Sequence, residues 1–167
     1  NRRGNSLIYY AHGNIFESPA GVLVNPCNTV GVMGAGLALQ FKIKYPEMFV
    51  KYQRHCQEHL LFIGRLALYT CHDGKRVLRF PTKQHWRDNS QIDYISIGLQ
   101  NFRTTYAKKK ITSVAFPKLG CGKGNLAYIP WIRIAYPEIS SDNKKGFFIG
   151  YQFGWDDHQA FLSILQG

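Results

Sequence analysis

Between Asn25 and Lys42 the chain reads NPCNTVGVMGAGLALQFK. Gly31, Gly34 and Gly36 are spaced so that several backbone N–H groups can meet one anion with no side chain in the way. The apolar run Gly21-Val22-Leu23-Val24 before it reads as a buried strand. Leu37 and Phe41, four apart, open a helix whose N-terminus adds partial positive charge. The spacing is neither G-x-x-x-x-G-K-S/T nor G-x-G-x-x-G. A single loop of this kind is as readily a tight turn that packs a helix close to a sheet. A second one, KLGCGKGNL from Lys118 to Leu126, follows the strand-like run Val114-Ala115-Phe116. Two such loops in one small domain point to a phosphate-bearing ligand held from two sides.

Cys27 and Cys121 lie inside these loops and, with no partner histidine in view, read as small loop residues before they read as nucleophiles. His55, Cys56 and His59 fall on one expected helix. Two histidines at i and i+4 can bind a metal, but no carboxylate or third ligand is in register, so no metal is expected. The run Phe80-Pro81-Thr82-Lys83-Gln84-His85-Trp86-Arg87 gathers an amine, an imidazole, an indole and a guanidinium. By residue type alone Lys83 is a loop lysine that neutralises phosphate. His85 either shuttles a proton or packs against its neighbours, and Trp86 either stacks on a base or sugar or serves as a hydrophobic lid.

The elements that must position these groups alternate along the chain. Leu7 to Ala11 and Gly21 to Val24 read as strands about a Gly13-Asn14 turn. Pro46 suits the first turn of a helix that carries Phe49, Tyr52 and Cys56 on one face. Leu66 to Thr70 and Val77 to Phe80 read as strands about Asp73-Gly74. A helix from Ser90 is signalled by a Ser90–Asp93 capping box and by the stripe Ile92, Ile95, Leu99, Phe102 and Tyr106. Ile111 to Phe116 and Phe147 to Phe153 read as further strands. Pro130 and Pro137 interrupt the stretch between them, and Asp156 offers an N-cap to a last helix holding Ala160, Phe161, Ile164 and Leu165. The pattern is a three-layer α/β domain with a mixed sheet and no linker or repeat.

With 167 residues, 45% of them apolar, the chain is long enough for one domain with a real core. No run of about 18 apolar residues spans a membrane and no signal-peptide pattern is present; the start at Asn1 reads as a trimmed or excised segment. The four cysteines fit free thiols in a reducing cytosol better than a disulfide scaffold. Lysine and arginine, 21 against 10 acidic residues, give a net charge of +11, which draws polyanions and favours a nucleic-acid-linked substrate. Arg2-Arg3, Lys108-Lys109-Lys110 and Lys144-Lys145 are dispersed, and no helix-turn-helix or RNP motif speaks for sequence-specific DNA reading.

The two glycine loops, the opening IYYAHGNIF and the segment FPTKQHWR together resemble a macrodomain over about Leu7 to Leu126. The branch most resembled is that of the DNA ADP-ribosyl glycohydrolase (DarG) antitoxins, related to the terminal ADP-ribose glycohydrolases. The resemblance implies a single α/β/α macrodomain over residues 1–167, with residues 126–167 divergent from the family pattern. It also implies an ADP-ribose site at the strand ends, no cofactor, a cytoplasmic location and a cognate ADP-ribosyltransferase toxin as partner. The implied activity is removal of ADP-ribose from nucleobases in DNA. The alternatives are a non-catalytic ADP-ribose reader and an ADP-ribose 1″-phosphate phosphatase.

By the same resemblance, Asn25, Thr29, Gly31, Val32, Met33, Gly34, Gly36 and Leu37 wrap the distal ribose. Lys118, Gly120, Cys121, Gly122, Lys123, Gly124 and Asn125 wrap the diphosphate and ribose, and Ile15, Pro81, Thr82, His85 and Trp86 complete the lining. Asn14 stands where many macrodomains carry an Asp that binds the adenine amine; an amide carbonyl can accept the same bond without the charge. Lys83 matches the lysine given a nucleophilic role in the related glycohydrolases. It would attack the anomeric carbon once neutral, its pKa lowered by desolvation or by a cation such as Arg87. The terminal ADP-ribose glycohydrolases carry an Asp where Gly124 stands; DarG-like proteins lack it too, which leaves the resolving base unassigned. Asn28, deeper in the glycine loop than Asn25, is the preferred residue to orient the ribose or a water, although both are also good turn formers.

Overall fold

The computed structural model describes residues 7–12, 14–117, 119 and 147–152. In chain order the elements are β1 (Leu7–His12), a 3-10 turn (Ile15–Glu17), β2 (Val22–Cys27), α1 (Gly36–Lys44), α2 (Pro46–Gln57), β3 (Ala67–Thr70), β4 (Arg76–Pro81), α3 (Ile92–Thr105), β5 (Ser113–Phe116) and β6 (Phe147–Gln152). The strands form one six-stranded sheet in the order β1-β6-β5-β2-β4-β3. All neighbours are parallel except the β3–β4 hairpin, so the sheet is mixed, as the sequence implies.

Alternation along the strands divides the core in two. Leu23, Cys27 and Val77 point to one face and pack with Phe41 of α1 and Met48, Tyr52 and Cys56 of α2. Val22, Val24, Leu78 and Phe80 point to the other face, against Ile95, Leu99 and Phe102 of α3. The result is three layers. Gly98 lets α3 come close: a Cβ there would stand 2.5 Å from the Phe80 ring.

β2 runs three residues beyond the expected Val24. Pairing with β5 stops at Leu23, so Pro26 is matched on one side only, by Phe80 of β4, a position where a strand can carry a proline. The capping box at Ser90 does not form. Gln91 is the N-cap of α3 without a side-chain bond, and the buried Ser90 hydroxyl has no hydrogen-bond partner. Ile92, the first helical residue, is exposed, and the stripe begins at Ile95. A helical period says which way a side chain faces, not whether anything lies opposite it. The expected terminal helix after Asp156 and the interruptions at Pro130 and Pro137 lie outside the described residues.

Adjacent parallel strands β2 and β4 send their connections to opposite faces: β2 leads to α1 and α2, β4 to α3. Where neighbouring connections part in this way a crevice opens beyond the carboxyl ends of the strands, and such crevices hold ligands. The segment from Asn28 to Ala35 leaves one lip of it and the segment from Thr82 to Ser90 the other.

Candidate functional site

Asn28 shapes the first lip. Its Oδ1 accepts the N–H groups of Val30 (3.1 Å) and Val32 (3.3 Å) and lies 2.7 Å from the Tyr52 hydroxyl, while its Nδ2 donates to Val32 O at 2.7 Å. Tyr52, fully buried on α2, is held in the protonated, donating form because burial pushes its pKa upward. Gly31 adopts φ +87°, a left-handed conformation that a side chain would strain, and its carbonyl accepts from Gln53 at 3.2 Å. The N–H groups of Val30 and Val32 are therefore already committed to Asn28. The exposed stretch Gly34-Ala35-Gly36 remains, at the N-terminus of α1, which no side chain caps. Leu37 is half-buried just inside that helix.

Asn28 was expected to orient a ribose or a water. A carbonyl oxygen has two lone pairs, and three neighbours already crowd this one; the second amide N–H is what Asn28 has left to offer a ligand. Asn25 is fully buried beneath Met33, its Nδ2 directed to Met33 Sδ at 3.6 Å and its Oδ1 without a partner.

The second lip is stitched to the first. Gln84 O accepts both the N–H (3.1 Å) and the hydroxyl (2.9 Å) of Thr29, and the Thr82 N–H donates to Cys27 O at 2.8 Å. Pro81 closes β4 in register with Cys27. Lys83 follows directly, half-buried, with Nζ donating to Trp86 O at 3.0 Å. His85 Nδ1 accepts the Arg87 N–H at 3.1 Å, which leaves the proton of a neutral ring on Nε2, and the imidazole stacks on Trp86 with centroids 5.2 Å apart. That favours the packed role for His85. Trp86 is 45% exposed and carries the Arg87 guanidinium 4.6 Å from its ring centre.

At the same end of the sheet, beyond β1, exposed Asn14 spends one lone pair of Oδ1 on the Phe16 N–H (2.9 Å), with Ile15 buried behind it. Cys27 is buried, and that burial drives its thiol pKa far up, so it is no nucleophile. The sequence-expected second loop, Lys118 and Gly120, Cys121, Gly122, Lys123, Gly124 and Asn125, lies outside the described residues. Among the described residues no three His, Cys, Asp or Glu side chains gather as a metal site.

Two contributors were not legible as such. Tyr52 carries a helical-stripe signal, but nothing in it says that its hydroxyl props the glycine loop. Arg79, 1% exposed in β4, donates Nε to Ala67 O at 3.3 Å and leaves Nη1 without a partner; burial lowers its pKa. A lone arginine in a strand signals a solvated face, so its burial has no sequence mark.

The Macro domain family model matches residues 24–141, and the chain belongs to that family. Over 128 residues it is 38% identical to a protein of Thermus aquaticus named DNA ADP-ribosyl glycohydrolase, covering 75% of this chain and 35% of that one. It is 37% identical over 134 residues to a DNA ADP-ribosyl transferase–DNA ADP-ribosyl glycohydrolase fusion protein of Thermosipho africanus, covering 70% and 34%. The solved macrodomain of Mycobacterium tuberculosis DarG superposes with a TM-score of 0.79 at 34% identity, over 87% of this chain and 97% of that one. The chain thus spans about a third of the length of the curated relatives it matches.

Proposed function

We propose that this protein removes ADP-ribose from a nucleobase in DNA, with Lys83 as nucleophile. The observation that carries the reading is the position of Lys83. It directly follows the strand end at the β2–β4 crevice, across from the glycine loop and tied to it through Gln84 and Thr29. A relative named for this activity is 38% identical over three quarters of the chain, which supports the same assignment. The exposed Gly34–Gly36 stretch would meet the ligand's anionic part with backbone N–H groups, and the spare amide N–H of Asn28 would orient the distal ribose or a water.

The Lys83–Trp86 bond is made through an N–H of the amine and not through the lone pair with which the neutral form would attack. Attack on the anomeric carbon breaks the N-glycosidic bond, whose electron pair leaves with the base. The base then takes a proton, and water resolves the lysyl–sugar adduct. The whole chain is read as one macrodomain acting in the cytoplasm, antitoxin-like. A cognate ADP-ribosyltransferase is its expected partner, since a relative is named as a fusion of transferase and glycohydrolase.

The test is Lys83→Ala against ADP-ribosylated DNA, ADP-ribosylated protein and ADP-ribose 1″-phosphate in parallel. The variant should fold, keep most of its affinity for ADP-ribose and lose release from DNA by about a hundredfold or more, as expected on removing a nucleophile. Normal turnover by Lys83→Ala would reduce the lysine to a phosphate contact. Release from the 1″-phosphate alone would make the protein a phosphatase, and binding without release from any conjugate would make it a reader.

A further inference from the structure

Trp86 holds the backbone carbonyl that fixes the Lys83 amine, yet its own indole is 45% exposed. By contrast Tyr52, which props the glycine loop, and Phe80, which precedes Pro81 in β4, are fully buried. Its loop is not loose. Thr29 pins it at Gln84, the Asp88 N–H closes back on His85 O at 3.0 Å, and the His85 ring and Arg87 guanidinium both lie against the indole. An exposed apolar ring held this firmly beside a reacting amine is built to receive something flat.

We infer that Trp86, with Arg87 against it, is the seat of the departing nucleobase and selects aromatic leaving groups over other conjugates of ADP-ribose. The inference rests on the glycohydrolase reading above. The bond that Lys83 breaks joins the ribose to its leaving group, so that group lies across the anomeric carbon from the attacking amine, a few ångströms from it. A nucleobase has two π faces and stacks on indole; a phosphate or a carboxylate can pair with the Arg87 guanidinium but gains nothing from the ring itself. As the C1″–N bond breaks, its electron pair stays on the base, and the guanidinium faces that charge until water supplies a proton. The chain's excess of basic residues suits the phosphates on either side of such a base.

Trp86→Ala and Trp86→Phe test this with two ligands, free ADP-ribose and a deoxyoligonucleotide carrying ADP-ribose on a base. Relative to its effect on the Kd of free ADP-ribose, Trp86→Ala should raise the KM for the oligonucleotide by about tenfold, in line with the loss of one base–aromatic stack, and Trp86→Phe should restore most of it. Equal losses for both ligands would make the indole a lid over ADP-ribose and overturn the inference, as would no loss at all. If the wild type releases no ADP-ribose, the glycohydrolase reading fails separately. Calorimetry with the same pair then decides the seat: the conjugate must bind more tightly than free ADP-ribose, and Trp86→Ala must erase that difference. Absence of the difference in the wild type would overturn the inference.

Discussion

A lysine can act as a nucleophile only when its neutral form is within reach, whereas arginine stays protonated at any working pH. Lys83→Arg should therefore fail in turnover as fully as Lys83→Ala, and borohydride added during turnover should trap an adduct in the wild type alone, if the opened sugar forms an imine with the amine. The glycine loop rests on a less visible residue. Tyr52 reaches Asn28 from α2 and has no solvent to replace the bond. Tyr52→Phe should cost about 1–2 kcal/mol, the range for one buried hydrogen bond, read as a lowered midpoint in urea. ADP-ribose affinity should fall several-fold with it, because Val30 to Gly34 would lose their template; unchanged affinity would mean that the loop holds its form through Asn28 alone.

Among the elements, the ones written in a local period were legible: the helix from Pro46, the hairpin about Asp73-Gly74, the stripe from Ile95, and the strand–loop–helix unit that holds the glycines. What escaped was decided by neighbours distant in sequence. Asn25 and Pro26 break an apolar run and read as the end of a strand, yet β4 keeps them in register to Cys27. Ser90 has the residue type of a cap but stands one position too early. Arg79 is buried because α2 and β3 close over it, which no property of its own neighbours announces. The joint between α3 and the sheet makes a sharp prediction. Alanine is favoured over glycine inside a helix by up to about 1 kcal/mol, but a Cβ at Gly98 would collide with the fully buried Phe80 ring, and overpacking of that kind costs about 1–3 kcal/mol. The clash should win, so that Gly98→Ala unfolds at lower denaturant. A raised midpoint would show that Phe80 has room to turn aside.

At the scale of the whole molecule, the net charge of +11 was the one global property the composition offered about a partner. Binding to ADP-ribosylated DNA should weaken with salt more steeply than binding to free ADP-ribose, because each phosphate contacted outside the pocket releases a counterion. Titrations of both ligands across a salt series check this; parallel slopes would make the charge incidental and favour the small-metabolite phosphatase. The sheet order was beyond reach of any local period, since it joins residues near the start of the chain to others far along it. β6 lies between β1 and β5. While the chain is being synthesised, then, the first strand waits without a neighbour and β5 shows a bare edge until residues 147–152 have left the ribosome. The sheet cannot grow in the order in which it is made. Its closure is a late event, and a ribosome stalled before that point leaves an open edge for other chains to pair with, a client for chaperones rather than a smaller version of the same domain.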